Sequence, residues 1–119
     1  MYGLPKDFDA AIFVNQRLDH ITFAEYTLRF GFEDKISINV TSSFQHQVGV
    51  ENEIAPIQHV PVSESSLMQL IGHYVTHADG ASDGTLTIEF DNGHILRVFD
   101  DDPHYECYSI NDGEREIYV

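Results

Sequence analysis

The sequence predicts an α+β domain built from two related antiparallel β-meander units, an internal repeat, with one central helix. Three observations lead to this prediction. The stretches FEDKISINV (residues 32–40) and FDNGHILRV (residues 90–98) resemble each other, and apolar residues alternate with polar ones before both turns. Between them, LMQLI has the apolar spacing of a short helix. At 119 residues, the chain has the length of one domain, residues 1–119.

The internal repeat covers about 14–44, here called unit 1, and about 71–102, called unit 2. Within it, Phe32 aligns with Phe90 and Ile38 with Leu96. The second copy has one inserted residue. Before this insertion, Val14 aligns with Ile71, Leu18 with Val75, and His20 with His77. The turn position and the inward-facing pattern agree together, which favours duplication over chance similarity.

Each unit contains a hairpin whose register follows from its apolar residues. In unit 2, the DNG turn fits a three-residue loop in which Gly93 takes the left-handed conformation. This register brings the apolar sets together, pairing Phe90 with His94, Ile88 with Leu96, and Leu86 with Val98. The same register in unit 1, where Lys35 replaces the glycine, pairs Phe32 with Ile36, Phe30 with Ile38, and Leu28 with Val40.

The segment of about 45–72 is predicted to be a linker followed by the central helix. Residues 41–62 show little periodicity and include two prolines, so we expect a connecting loop, with an edge strand as the alternative. Ser63 is the predicted N-cap of a helix over about 64–71, which Gly72 ends. After unit 2, the stretches YECYSI, NDG and REIYV predict a terminal hairpin.

The charge of the chain restricts its partners. Twenty Asp and Glu against six Lys and Arg give a formal net charge of −14, which disfavours nucleic acid and anionic membranes and favours a basic protein. The alternative is that the acidity only maintains solubility. No apolar run has the ~20 residues of a membrane span, and no signal peptide is evident. With Cys107 as the only cysteine, we expect a cytoplasmic protein.

Unit 2 and the residues after it resemble small bacterial immunity proteins of polymorphic toxin and contact-dependent inhibition systems. The matching elements cover about a third of the chain and are Ile71-Gly72, Gly84-Thr85-Leu86, Phe90 with Gly93, Leu96 with Val98, and Tyr105-Glu106 with Tyr108. Tyr108 stands where tryptophan is more usual in that family. The resemblance implies an antitoxin that binds and neutralises a toxin domain, without naming the toxin.

The stretch FDDDPHYE is the candidate partner-binding site. It concentrates four carboxylates directly after a predicted strand, and such a cluster can dock against the basic residues of a nuclease active site. Tyrosines beside it would supply an aromatic anchor inside an acidic rim, with core packing as the alternative for one of them. The predicted partner-binding residues are Asp100, Asp101, Asp102, His104, Tyr105, Glu106 and Tyr108.

The sequence gives no reason to expect an enzyme. It contains neither a G-x-S-x-G elbow nor a phosphate-binding loop, and we predict no catalytic residues, cofactor or metal. The resemblance implies an immunity protein, and the negative charge suggests that its target is a basic nuclease. One alternative is a metal-dependent hydrolase using the Asp100–Asp102 cluster with His94 or His104. Another is a structural domain that forms homo-oligomers by pairing the strand REIYV edge to edge.

Overall fold

A computed structural model of the chain describes residues 3–48, 55–62 and 66–119. Short 3₁₀ turns span Ala10–Phe13, Glu33–Lys35 and Leu67–Leu70. The described residues also form ten strands, namely β1 (Leu18–Phe23), β2 (Leu28–Phe32), β3 (Ser37–Val40), β4 (Ser43–Gln47), β5 (Ile57–His59), β6 (Val75–Gly80), β7 (Leu86–Phe90), β8 (Ile95–Val98), β9 (Tyr108–Asn111) and β10 (Glu116–Tyr118).

The strands form two five-stranded antiparallel sheets. Sheet 1 has the order β1-β2-β3-β9-β10, and sheet 2 has the order β6-β7-β8-β4-β5. The first three strands of each sheet come from one unit of the repeat, in the same order and direction. The predicted β-rich, antiparallel character is therefore confirmed, and so is the terminal hairpin, which is β9 and β10.

The predicted hairpin registers are also confirmed. Leu28 pairs with Val40 in unit 1, as Leu86 pairs with Val98 in unit 2. Both turns close the predicted way, because the amide of Phe32 donates to the Ile36 carbonyl (2.8 Å) and that of Phe90 donates to the His94 carbonyl (2.9 Å). Matching apolar residues on facing strands determined this register, since a slip of one residue would expose them.

Each unit sends its next hairpin to the other sheet. After β3, the chain crosses over and β4 pairs with β8 of unit 2. After β8, the chain crosses back and β9 pairs with β3 of unit 1. The crossings are marked by equivalent bonds, from the Thr41 amide to the Cys107 carbonyl (3.0 Å) and from the Phe99 amide to the Ser43 carbonyl (3.2 Å). The two units thus exchange strands.

The free edges of β1 and β6 meet at an approximate two-fold axis. Arg17 and Tyr74, which are equivalent in the repeat, pair with each other. Around them the backbone bonds are reciprocal: the Leu18 amide donates to the His73 carbonyl (3.0 Å), and the Val75 amide donates to the Gln16 carbonyl (2.9 Å). These bonds connect the two sheets along one edge.

Inward-facing apolar residues of both sheets form one hydrophobic core. Phe30 and Ile38 of sheet 1 and Ile88 and Leu96 of sheet 2 are fully buried in it. The turn at residues 10–13 adds Phe13, whose ring lies 5.5 Å from that of Phe32. Alternation along the strands leaves the opposite face of each sheet to polar side chains.

The prediction of a central α-helix is wrong for the described residues, and with it the α+β class. Ser63 and residues 64 and 65 lie outside the described ranges, and the nearest described element after them is the 3₁₀ turn Leu67–Leu70. Ile71 is already extended (ψ 131°), and Gly72 is left-handed (φ 88°). The same turn occurs directly before unit 1, at residues 10–13, where the extended residue is Val14. The apolar spacing therefore belongs to the repeat and not to a helix.

The predicted connecting loop contains a central strand. Although β5 is the edge strand offered as the alternative, β4 lies inside sheet 2 between β8 and β5. This strand, SFQHQ, was not predicted because the buried His46 occupies a position at which an apolar residue is expected. Among the described residues, none belongs to a helix with the length and apolar character needed to cross a membrane.

Candidate functional site

The acidic stretch after β8 is an insertion in the second copy of the repeat. At the two crossings, Thr41 is equivalent to Phe99 and Ser43 to Cys107. Unit 1 spans this interval with Ser42 alone, whereas unit 2 uses residues 100–106, here called the acidic loop. The cluster predicted to bind a partner thus occupies a segment that the repeat itself does not require.

The acidic loop is anchored by Asp100, which points into the protein. Asp100 is 5% exposed, and its Oδ2 accepts a hydrogen bond from the Gly3 amide (2.9 Å). The carboxylate packs against Gly84, where an added Cβ would lie 2.5 Å from Asp100 Oδ2. Gly84 belongs to the β6–β7 loop, which is one residue longer than the β1–β2 loop. The two insertions of unit 2 therefore contact each other.

Two further aspartates fix the shape of the acidic loop. The carboxylate of Asp101 accepts hydrogen bonds from the Ser42 hydroxyl (3.2 Å) and from the Ser43 hydroxyl. Asp102 accepts from the His104 amide (2.9 Å), and its own amide donates to Cys107 Sγ (3.2 Å). The loop is thus held by its own carboxylates, while Asp101 itself stays exposed and Asp102 half-exposed.

Cys107 and Tyr108 lie in the core behind the acidic loop. Burial raises the pKa of the Cys107 thiol, which keeps it protonated. The Tyr108 hydroxyl donates to the Gly84 carbonyl (2.6 Å), and burial, with the Asp100 carboxylate second, raises the tyrosine pKa far above its usual range. Asp100 and Tyr108, both predicted to contact a partner, are therefore buried in this structure, and core packing, the alternative for one of the tyrosines, applies to Tyr108.

The exposed part of the predicted site is smaller and contains one of the two tyrosines. Tyr105 is 72% exposed, and His104 and Glu106 are exposed beside it. Glu106 also lines an open groove of about 380 Å³ that continues along β10 past Arg115 and Tyr118. Tyr118 is 53% exposed.

Sequence reasoning missed the contribution of Tyr118. Its alternation with Ile117, which is buried, could have predicted an outward-facing aromatic side chain on the last strand.

A second polar cluster surrounds His46. Its Nδ1 lies 2.6 Å from the Ser66 hydroxyl, and its Nε2 lies 3.1 Å from His94 Nδ1. Burial lowers the pKa of His46 to about 4, and repulsion from His94 contributes to the shift. At neutral pH, the ring is therefore uncharged, and each of its two nitrogens has a hydrogen-bond partner.

The residues proposed for a metal-dependent hydrolase are not brought together. His94 precedes β8, whereas Asp100 follows it, so the two lie at opposite ends of that strand. His104 contacts Asp102 through its backbone amide. Among the described residues, no three His, Cys, Asp or Glu side chains are grouped so that they could hold a metal ion. His73 Nδ1 lies 2.7 Å from Asp91 Oδ1.

Comparison with known proteins places the chain in a family. Residues 11–119 match the model of a family of unknown function, DUF6188. The chain belongs to this family. The match includes both units and the acidic loop, so the strand exchange and the insertion lie within the DUF6188 region. No curated protein and no solved structure has significant similarity to the chain.

Proposed function

We propose that this DUF6188 member is an immunity protein that binds a cognate bacterial toxin domain in the cytoplasm and neutralises it without catalysing a reaction. The observation that carries the proposal is the acidic loop, an insertion absent from unit 1 and fixed at its base by Asp100. A loop held in one shape loses little conformational entropy on binding, which favours a role in recognition. The resemblance of unit 2 to immunity proteins is the second support.

The charge of the protein suggests a basic toxin, and a nuclease fits that charge best. A net charge of −14 accelerates encounter with a positively charged cleft, because long-range attraction steers association. Nuclease clefts carry Lys and Arg that contact phosphates. The exposed carboxylates of Asp101 and Glu106 would occupy the same positive field, and covering the cleft would block the path of nucleic acid.

Aromatic side chains would slow dissociation once the complex has formed. Tyr105 and Tyr118 are both exposed and both lie beside Glu106 or its groove. Tyrosines with a polar rim often contribute most of the energy of an interface. We therefore assign the partner surface to Asp101, Asp102, His104, Tyr105 and Glu106, extended by the groove along β10.

The test uses the product of the neighbouring gene as the partner. Co-purification should give an equimolar complex whose affinity falls as the salt concentration rises, because surface charge pairs are screened over about 8 Å at physiological ionic strength. Tyr105→Ala combined with Glu106→Lys should weaken binding about 100-fold, as expected when two central interface residues are removed. We avoid replacing Asp101, since its bonds to Ser42 and Ser43 would also be lost.

A matched control exists in the β1–β2 loop. Tyr26 is 75% exposed and follows the exposed Glu25, so Tyr26→Ala with Glu25→Lys makes the same chemical changes elsewhere. This control should bind the partner as the unaltered protein does. Equal weakening by both double variants would show that only net charge matters, and no weakening by either would contradict this placement of the interface.

Edge pairing between two copies is the second candidate, because β10 is the edge strand of sheet 1. An unpaired strand edge offers backbone donors and acceptors to another chain. If pairing occurs, sedimentation should show a dimer whose fraction rises with concentration. A monomer at every concentration would contradict this candidate and leave the toxin-binding proposal unaffected.

A further inference from the structure

The outer face of sheet 1 contains a cavity of about 350 Å³. Three neighbouring strands contribute outward-facing residues to it at one level, because Gly31 pairs with Ser37 and Ser37 pairs with Asn111. Arg29, two residues from Gly31 along β2, and Lys35, in the turn after β2, complete its polar lining. The cavity is therefore built on regular strands and not on loops alone.

Gly31 makes room for the ring of His20, which also lines this cavity. The ring of His20, on the paired residue of β1, lies directly over this glycine, so that an added Cβ would be 2.1 Å from His20 Nε2. Because Gly31 has no side chain, the His20 ring rests against the β2 backbone and forms part of the cavity lining. The hydroxyl of Ser37 and the amide group of Asn111 face it as neutral polar groups.

The cavity concentrates positive charge in a strongly acidic protein. Arg29 and Lys35 are two of only six Lys and Arg residues in the chain. The ion pairs of the described residues involve Arg17, Arg115 and His73, and none includes Arg29 or Lys35. With many carboxylates available, two cations that face one cavity without an acidic partner leave a place for an external anion.

The equivalent face of sheet 2 has lost these features. Glu89 occupies the position of Gly31, and Thr87 occupies that of Arg29. The outward-facing Arg97 is instead bonded to Gln45 and Gln47 (3.1 Å each). Since both faces derive from one repeat, the cationic cavity is not a consequence of the backbone.

We infer that the outer face of sheet 1 binds a small-molecule oxyanion, a phosphate or carboxylate group, between Arg29 and Lys35, with Ser37 and Asn111 as neutral hydrogen-bond partners. The Arg29 guanidinium suits the planar, two-pronged recognition of such groups. Long-range repulsion from the net charge of −14 opposes binding, so we expect weak affinity, with a dissociation constant on the order of 1 mM for inorganic phosphate alone.

The experiment is an NMR titration of the full ¹⁵N-labelled chain with inorganic phosphate at constant ionic strength, repeated with acetate. Saturable shifts of the Gly31, Asn111 and Gly113 amides are the expected result. A response to phosphate alone would assign a phosphoryl ligand, to acetate alone a carboxylate, and to both an oxyanion in general. No saturable shift with either, or the same shifts with chloride, would overturn the inference.

Three variants decide whether the response comes from this cavity. Arg29→Gln should weaken phosphate binding at least tenfold, the loss expected for a charge-assisted bond of about 1.4 kcal/mol or more. Lys35→Asn removes the second cation, and asparagine tolerates the left-handed backbone there (φ 65°). Arg97→Gln, on the outer face of sheet 2, makes the same charge change and should leave binding unaltered. Equal weakening by Arg29→Gln and Arg97→Gln would overturn the inference.

Discussion

Units 1 and 2 have the same strand order and pairing, and they differ in their loops and in the outer faces of their sheets. A 3₁₀ turn precedes each unit, each unit forms a three-stranded meander, and the hairpin that follows each meander joins the other sheet. Unit 2 adds two insertions that contact each other, at Gly84 and at the acidic loop. Unit 1 keeps shorter loops and carries a cationic cavity on its outer face. Strand pairing has therefore preserved the repeat, while loops and outer faces have diverged.

The largest effect should come from the contact between the two insertions. Gly84→Ala places a Cβ at φ 90° and only 2.6 Å from Asp100 Cβ, so backbone strain adds to overpacking. We expect the free energy of unfolding to fall by about 3 kcal/mol or more, measured by urea denaturation. Gly93→Ala is the control, because φ is 84° there but nothing lies within 4 Å. It should cost about 1 kcal/mol. Equal costs would mean that the contact is not tight.

The next effect concerns Tyr108, which occupies in β9 the position of Phe44 in β4. Tyr108→Phe removes the donor to the buried Gly84 carbonyl, and an unsatisfied buried group costs about 1–3 kcal/mol. We expect a loss of about 2 kcal/mol in the same assay. Tyr26→Phe, at an exposed tyrosine, should change stability by less than about 0.5 kcal/mol. If the two substitutions had the same small effect, the Tyr108 hydroxyl would not anchor the β6–β7 loop.

A third effect concerns the pH dependence of stability, in which the equivalent strands β4 and β9 should differ. His46 of β4 occupies the position of Ile110 in β9. The pKa of His46 is about 4 in the folded protein, below the ordinary value of 6.5 expected in the unfolded chain. Protons therefore bind the unfolded state preferentially, and the stability present above pH 6.5 is lost as the pH falls toward 4. Between pH 7 and pH 5 the loss should be about 1–2 kcal/mol.

His46→Ile, which makes the two strands alike, should remove this part of the pH dependence. Denaturation curves at several pH values for both proteins would measure it. An unchanged pH dependence in the variant would show that other groups are responsible.

The smallest effect concerns the two hairpin turns. Lys35 has φ 65° where unit 2 has Gly93 with φ 84°. Lys35→Gly should therefore raise the free energy of unfolding by about 0.5–1 kcal/mol, because glycine adopts this conformation without strain. Lys35→Ala removes the same charge but keeps the strain, so it should give no increase. A similar increase in both variants would attribute the gain to the charge and not to the backbone.

Local patterns were sufficient to predict the meanders. Apolar residues at alternate positions, such as Leu86 and Ile88, define a buried face, and Gly93 defines the turn, so the register follows from neighbouring residues alone. The helix was wrongly predicted because Leu67, Leu70 and Ile71 have helical spacing. The same spacing suits one 3₁₀ turn followed by an extended residue, and the equivalent turn before Val14 contained that information.

The candidate site was only partly predictable, because its geometry depends on non-local contacts. The acidic stretch was identified as the candidate site, but nothing in DDDPHYE separates the buried Asp100 from the exposed Asp101. That difference depends on Gly84 and Gly3, which are distant in sequence. The cationic cavity escaped notice for the same reason, since Arg29 and Asn111 meet only when β9 joins β3.

The exchange of hairpins has a consequence for the order of synthesis. The pairing of Ser37 with Asn111 means that β3 lacks its second neighbour until β9, which is far along the chain, has left the ribosome. During that time, one edge of the first meander is uncovered in a crowded cell. Newly made chains therefore pass through a stage at which chaperones or a second nascent copy could occupy the edge, and rapid synthesis of β9 protects against such misassembly.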